Sequence, residues 1–346
     1  MKNPCPASRA IRAALWPTTL PRKPVPTVPL LRPALLARLL LPVLLLLASP
    51  GYAQTNAATP ASDTREDSAG ALAQTRAQAE AGDARSQFQL GRRYALGQGI
   101  ARDAAAAAGW YRKAADQGDA EALAYLGLAY ASGRGVDRDE THARELFAQA
   151  AAKGNVIGQS MLGMIYAQGR GVDKDPAQAL HWYTLAAQQG DASAQADLGN
   201  LYLSGQGVAR DDAQAAHWLE LAAAQGNAAA QLNLGYLLLH GYGRAQNYAE
   251  AARWITRAAT QGYADAQFRL GILYSNGQGV PRDIERAYTW MLLSAARGDD
   301  SAQQALRTFA SNMSPEQMAA AKAAAAQWRP QPERTVAAPP APAPQP

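Results

Sequence analysis

Apolar residues recur along this chain at helical spacing, in a pattern that itself repeats. Between Gln159 and Tyr166, Leu162, Ile165 and Tyr166 fall on one stripe, and between Ala179 and Ala187 a second stripe holds Ala179, Trp182, Tyr183 and Ala186. Apolar positions three and four apart predict two amphipathic helices. A glycine-bearing turn separates them. Gly163 and the Ala186-Ala187 pair are small where two helices must approach closely, and Gly190 is a stop signal because glycine reaches the left-handed conformation at low cost.

The same unit returns at a fixed interval. Gly-x-Gly occurs at Gly97/Gly99, Gly133/Gly135, Gly169/Gly171, Gly205/Gly207, Gly241/Gly243 and Gly277/Gly279, each step being 36 residues. Leu-Gly keeps step from Leu90-Gly91 to Leu270-Gly271. So do Tyr94, Tyr130, Tyr166, Tyr202 and Tyr274, with Leu238 in the fifth copy. Trp110, Trp182, Trp218, Trp254 and Trp290 share one position, with Leu146 in the second copy, and an Ala-Ala pair follows in five copies. A period in this range marks stacked helical repeats. The tryptophan and tyrosine stripes are expected in the core.

These positions resemble the Sel1-like repeat, a relative of the tetratricopeptide repeat. The match is nearly verbatim in Ala194–Gly226, and six copies cover roughly residues 83–298. The resemblance implies an all-α, right-handed α/α solenoid (superhelix) of about six helix pairs, with degenerate capping half-repeats. Ala71–Gly82 fits the second half of a degraded repeat and Asp299–Ala310 the first half of a seventh. Ser314-Pro315-Glu316-Gln317 is a helix start, with serine at N-cap, proline at N1 and glutamine at N3. A helix from there to about Trp328 should cover the open end of the array.

Composition and charge add the flanks. Of 33 basic residues, residues 1–53 hold Lys2, Arg9, Arg12, Arg22, Lys23, Arg32 and Arg38 and no acid, which leaves 26 basic against 28 acidic residues beyond. The remainder carries no electrostatic footprint for nucleic acid. A basic stretch, an apolar run over Leu39–Ala48 and the small residues around Ala53 read as a secretory signal over 1–53, cleaved before Gln54. Contact with a membrane would then run only through that segment, if it stays uncleaved. Residues 54–70 read as a disordered linker, 71–328 as the repeat solenoid, and 329–346 as a disordered Pro/Ala-rich tail. Periplasmic location is expected, with secretion open. The single cysteine, Cys5, lies before the cut, so the exported chain has no disulfide, thiol nucleophile or cysteine-based metal site.

The glycine turns invite a test for phosphate binding. A P-loop requires Gly-Lys-Ser/Thr, and the chain has no Gly-Lys. Asp103, Asp139, Asp175, Asp211 and Asp283, with Asn247 in the fifth copy, instead sit where a helix N-cap is wanted. Gln178, Gln214 and Glu250 stand three residues after their caps and predict capping boxes. The apolar residue after the glycines is expected to plug the turn. The fifth turn, His240–Asn247, has Arg244 there and adds Tyr242, and reads as a looser joint or a minor contact point.

No catalytic constellation is apparent. His-Glu-x-x-His and Ser-x-x-Lys are absent. Cysteine-rich relatives have been associated with β-lactams, but this chain lacks their cysteine pairs. His181 and His217 are equivalent positions beside a tryptophan, and no metal or cofactor is expected. If the first helix of each pair lines a concave face, as in tetratricopeptide arrays, the residues around Leu-Gly and one turn earlier point into it. They vary while the core positions repeat. The candidates for partner contact are Phe88, Arg92, Tyr125, Met161, Met164, Asp197, Asn200, Asn233, Tyr236, Phe268 and Arg269. Asn200 and Asn233 can bond both donors and acceptors of an extended peptide. The expected function is an exported scaffold or adaptor for a protein or peptide partner. A cell-wall-associated enzyme or ligand-binding protein, and a secreted host-interaction factor, are the alternatives.

Overall fold

The computed structural model describes residues 64–331, with side chains from residue 70. The signal segment, residues 54–63 of the linker and residues 332–346 of the tail lie outside the described residues. Fifteen α-helices and no strand occur among the described residues. Two compact units divide between Asp191 and Ala192.

The N-terminal unit contains α1 (Thr64–Glu80), α2 (Ala84–Leu96), α3 (Ala104–Asp116), α4 (Ala120–Ser132), α5 (Glu140–Ala152), α6 (Val156–Gln168) and α7 (Pro176–Gln188). The C-terminal unit contains α8 (Ala192–Ser204), α9 (Asp212–Ala224), α10 (Ala228–His240), α11 (Tyr248–Thr260), α12 (Ala264–Asn276), α13 (Ile284–Ala295), α14 (Asp300–Ala310) and α15 (Pro315–Gln327). Within each unit every helix through α13 packs on the next, and both α14 and α15 pack on α13. Even-numbered helices from α2 to α12 are the first of each pair and odd-numbered helices from α3 to α13 the second.

Helix α1 starts at Thr64, inside the stretch expected as linker. Its C-terminal half is bonded as the second helix of a repeat. Gln87 Nε2 on α2 donates to Ala79 O, as Gln231 does to Ala223 O and Gln267 to Ala259 O in later copies. At the other end, Ser314 and Gln317 form the expected capping box, with both reciprocal bonds present. Residues 329–331, expected as tail, are in part held. Gln331 N donates to Thr260 O at 2.8 Å, and Trp328 meets Trp290 edge-on at 6.2 Å.

The core position of the second helices lies one residue beyond the tryptophans. All five repeat-position tryptophans are half-buried. The residues that seat fully are Tyr111, Phe147, Tyr183, Leu219, Ile255 and Met291. Each rests on the glycine of a Leu-Gly pair. A Cβ placed on Gly127 would lie 2.8 Å from the Phe147 ring, closer than carbon atoms pack. The missing side chain of the first helix is therefore the seat for the large side chain of the second.

The turns do what the N-cap reading expects and more. Asp103, Asp139, Asp175, Asp211, Asn247 and Asp283 each accept a bond from an N–H in the first turn of the second helix. Asp83, Asp119, Asn155, Asn227 and Asp299 cap first helices and α14 in the same way. The capping boxes expected at Gln178, Gln214 and Glu250 do not close. The N–H groups they would satisfy, on Asp175, Asp211 and Asn247, donate instead to Tyr166 O, Tyr202 O and Leu238 O. Each turn is thereby tied back to the first helix. Gly243 packs its backbone against the start of α9, where an added Cβ would lie 2.0 Å from Asp212 O.

A second bond system ties the helices. Gln117, Gln189, Gln225 and Gln261, at the ends of second helices, donate Nε2 to the Oε1 of Gln87, Gln159, Gln195 and Gln231 at 2.7–2.9 Å. Gln117, Gln189 and Gln261 also donate to the carbonyl of the glycine closing the preceding unit, Gly82, Gly154 and Gly226. The inner glutamine donates in turn to the preceding second helix, as with Ala79 and Ala223 above. In the first and fifth repeats one amide relay thus joins three helices. The second repeat has Leu123 and Lys153 at these two positions.

Candidate binding surface

The first helices carry the expected contact residues, which the structure sorts by unit. In the N-terminal unit Phe88 is 3% exposed and belongs to the core. It is corrected from a contact to a support. Its ring packs edge-on to Tyr125 at 5.3 Å and near Tyr111 at 5.8 Å. Tyr125 is half-buried, and Arg92 is exposed with its guanidinium 5.9 Å from the Phe88 ring centre. Burial pushes the Tyr111 hydroxyl well above its ordinary range, so it stays protonated.

Met161 and Met164 are half-buried and line a recess with Leu128, Phe147, Ile165 and Arg170. Its enclosed volume is about 20 Å³, room for one water. The recess is a dimple for a methyl group or a water, too small for a cofactor. At its rim Glu140 accepts from Arg138, and from Arg170 at 3.0 Å. The hydrogen bond from Arg138, supported by Arg170, holds the Glu140 carboxyl below its ordinary range.

In the C-terminal unit Asp197, Asn200, Asn233, Tyr236, Phe268 and Arg269 are all half-buried. Phe268 packs against the cluster of Ile272, Tyr288, Met291 and Phe309. Asn233 Nδ2 donates to Asn200 Oδ1 at 2.8 Å, across α10 and α8. Beside them Tyr236 lies 4.4 Å from His240, and the His240 ring stacks on Tyr242 at 5.4 Å. Burial, with the positive charge of Arg269, lowers the His240 imidazole below its ordinary range. Burial, with the nearby Tyr242, raises the Tyr236 hydroxyl.

This aromatic stack was visible in the sequence only as a departure of the fifth turn from the others. The turn is not loosened. Arg244, in place of the usual valine, pairs with Glu220 at 2.7 Å, and Tyr242 packs against the main core cluster of the unit. His181 and His217 are exposed, each edge-on to its neighbouring tryptophan at 4.9 and 5.3 Å. Among the described residues no group of three or more His, Cys, Asp or Glu side chains is placed to hold a metal ion. No described helix is long and apolar enough to cross a membrane.

The family model for the Sel1 repeat matches six consecutive segments, 84–119, 120–155, 156–191, 192–227, 228–263 and 264–299. Each segment holds one helix pair as built above. The chain belongs to the Sel1 repeat family. Solved structures agree with the fold of this Sel1 repeat chain. A protective antigen present in uropathogenic Escherichia coli strains, with an SLR fold, is 33% identical with a TM-score of 0.55, over 75% of this chain and 63% of that protein. The Sel1 repeat chain thus spans less than two thirds of that antigen's length. A Sel1 repeat protein from Oxalobacter formigenes is 30% identical with a TM-score of 0.56, over 61% of this chain and 85% of that one. No curated protein matches the chain.

Proposed function

We propose that this Sel1 repeat chain is an exported, non-enzymatic scaffold that binds a partner protein or peptide on the surface of its first helices. The observation that carries the reading is a contrast within each repeat. Positions facing the second helix recur in every copy, whereas Met161, Met164, Asp197, Asn200, Asn233 and Tyr236 differ from copy to copy and remain partly exposed. Rigid helices with varied, partly exposed side chains suit recognition of a partner. Export rests on the basic and apolar pattern of residues 1–53, and the periplasm is the compartment it implies. The work of the scaffold would be assembly or regulation in the cell envelope.

Capture from an envelope fraction tests the surface. Wild type and an Asn200→Ala/Asn233→Ala/Tyr236→Ala variant are compared, with circular dichroism confirming that both are folded. Loss of a specific partner by the variant is expected, and equal capture of every partner rejects the surface. Fusing residues 1–53 to a reporter active only after export tests the location, and an inactive reporter rejects it.

A further inference from the structure

The amide pair between α8 and α10 has a direction. Asn233 Nδ2 donates and Asn200 Oδ1 accepts. A side-chain amide has one acceptor oxygen and one two-proton nitrogen. The bond between them leaves Asn200 offering its nitrogen as a donor and Asn233 offering its oxygen as an acceptor. Both side chains are partly exposed. The pair therefore presents one donor and one acceptor side by side, on adjacent first helices.

That combination matches one residue of an extended chain. In a strand a residue shows its own N–H and C=O on the same edge, and its neighbours point the other way. The N–H of such a residue meets Asn233 Oδ1, and its C=O meets Asn200 Nδ2. Nitrogen precedes carbonyl within a residue, so the bound chain runs N to C from α10 towards α8. This is opposite to the order of the helices in the protein.

The charges on the same row fit that direction. Asp197, Asn233 and Arg269 occupy one repeat position on α8, α10 and α12. A chain running from α12 to α8 passes Arg269 first and Asp197 last. We propose that the α8–α10–α12 face binds an extended peptide in reverse orientation, by the main chain of one residue at Asn200 and Asn233. Its N-terminal flank carries an acidic residue towards Arg269, and its C-terminal flank a basic residue towards Asp197. Tyr236 and His240 wall the site. The inference rests on the peptide-binding reading above and adds direction and sequence to it.

A displayed library of random dodecapeptides is selected on the full chain, and the tightest binder is remade with each backbone amide in turn changed to an ester, which deletes one N–H. One ester should weaken binding about tenfold, the equivalent of roughly 1.4 kcal/mol, and that loss should vanish in Asn233→Ala. Asn200→Ala should weaken the parent peptide. The binders should carry an acid before, and a base after, the sensitive residue. A nitroxide on the peptide N-terminus should broaden amide signals of α12 more than those of α8. Broadening of α8 instead, or ester losses that Asn233→Ala leaves unchanged, overturns the orientation. If Tyr236→Ala weakens binding while neither asparagine variant does, the surface stands and the amide site falls. If no peptide is selected, or none of the three variants weakens binding, both readings fall.

Discussion

Removing one half of an amide pair should cost more than removing both, and the Gln231–Gln261 pair is the place to measure it. Gln231 is 0% exposed. It donates to Ala223 O at 3.1 Å and accepts from Gln261 at 2.9 Å, while Gln261 also donates to Gly226 O at 3.1 Å. Gln261→Lys takes this donor from a buried oxygen, which costs about 1–3 kcal/mol. Gln231→Leu loses two bonds, each contributing about 1 kcal/mol net. In the double variant neither amide remains to be stranded, and the leucine gains burial. The second repeat already has this pair, with Leu123 2% exposed and Lys153 at the surface. Each single variant should therefore lose about 2 kcal/mol, and the double no more than the worse single, a coupling of at least about 2 kcal/mol. For a domain of this size each single should melt roughly 4–8 °C lower. Urea and thermal unfolding followed at 222 nm give the cycle. Hydrogen exchange on α10 and α11 locates it, since repeat stability is largely local. Additive losses, with a coupling below about 0.5 kcal/mol, would refute the account.

Four further outcomes follow from the same structure. Gln267 has its Oε1 buried without a partner, because Arg297 stands where four of the other repeats have glutamine; Gln267→Leu should cost measurably less than Gln231→Leu in the same melts. Gly127→Ala drives a methyl group into Phe147 and should lose about 1–3 kcal/mol. Gly109, helical with open space around its Cα, should gain about 0.5–1 kcal/mol as Gly109→Ala; the opposite ranking of these two would reject the seat-and-knob geometry. Glu140 has its carboxyl lowered in the fold, so the stability it brings is present above its ordinary 4.5 and fades as pH falls through the lowered value. Glu140→Gln should flatten that acid limb of a stability–pH curve and leave the neutral region nearly level.

The repeat, its period and the second-helix caps are legible in the sequence because each depends on local chemistry. Asp211 caps α9 through its own backbone neighbours, whatever lies further off. The glutamine relay was equally periodic in the sequence. A polar residue at helical spacing reads as solvated surface, and only the arrival of a third helix makes Gln231 a core residue. The tryptophans misled for a geometric reason. One residue along a helix turns the side chain by about 100°, so the largest apolar side chain need not be the one that faces the glycine. Capping boxes failed at Gln178, Gln214 and Glu250 because the competing acceptors, Tyr166 O, Tyr202 O and Leu238 O, belong to the previous helix. Of the expected contacts, Phe88 was lost to the core because Tyr125 and Tyr111 close over it. The bond between Asn200 and Asn233, 33 residues apart, has no local signature at all.

The amide relay has a consequence for how such a chain can change length. Two of its bonds reach back to the unit before, from Gln231 to Ala223 O and from Gln261 to Gly226 O. Excising residues 228–263 would join Asn227 to Ala264 and bring Gln267 to Ala223 O, the acceptor Gln231 now uses. That donated bond would form as before, one unit shorter, with Gln267 Oε1 left without a donor as it is now. A deletion of any other size would bring the wrong atoms to the joint. The architecture is thus quantised: it can be lengthened or shortened in whole steps of 36 residues, and it resists every fraction of one.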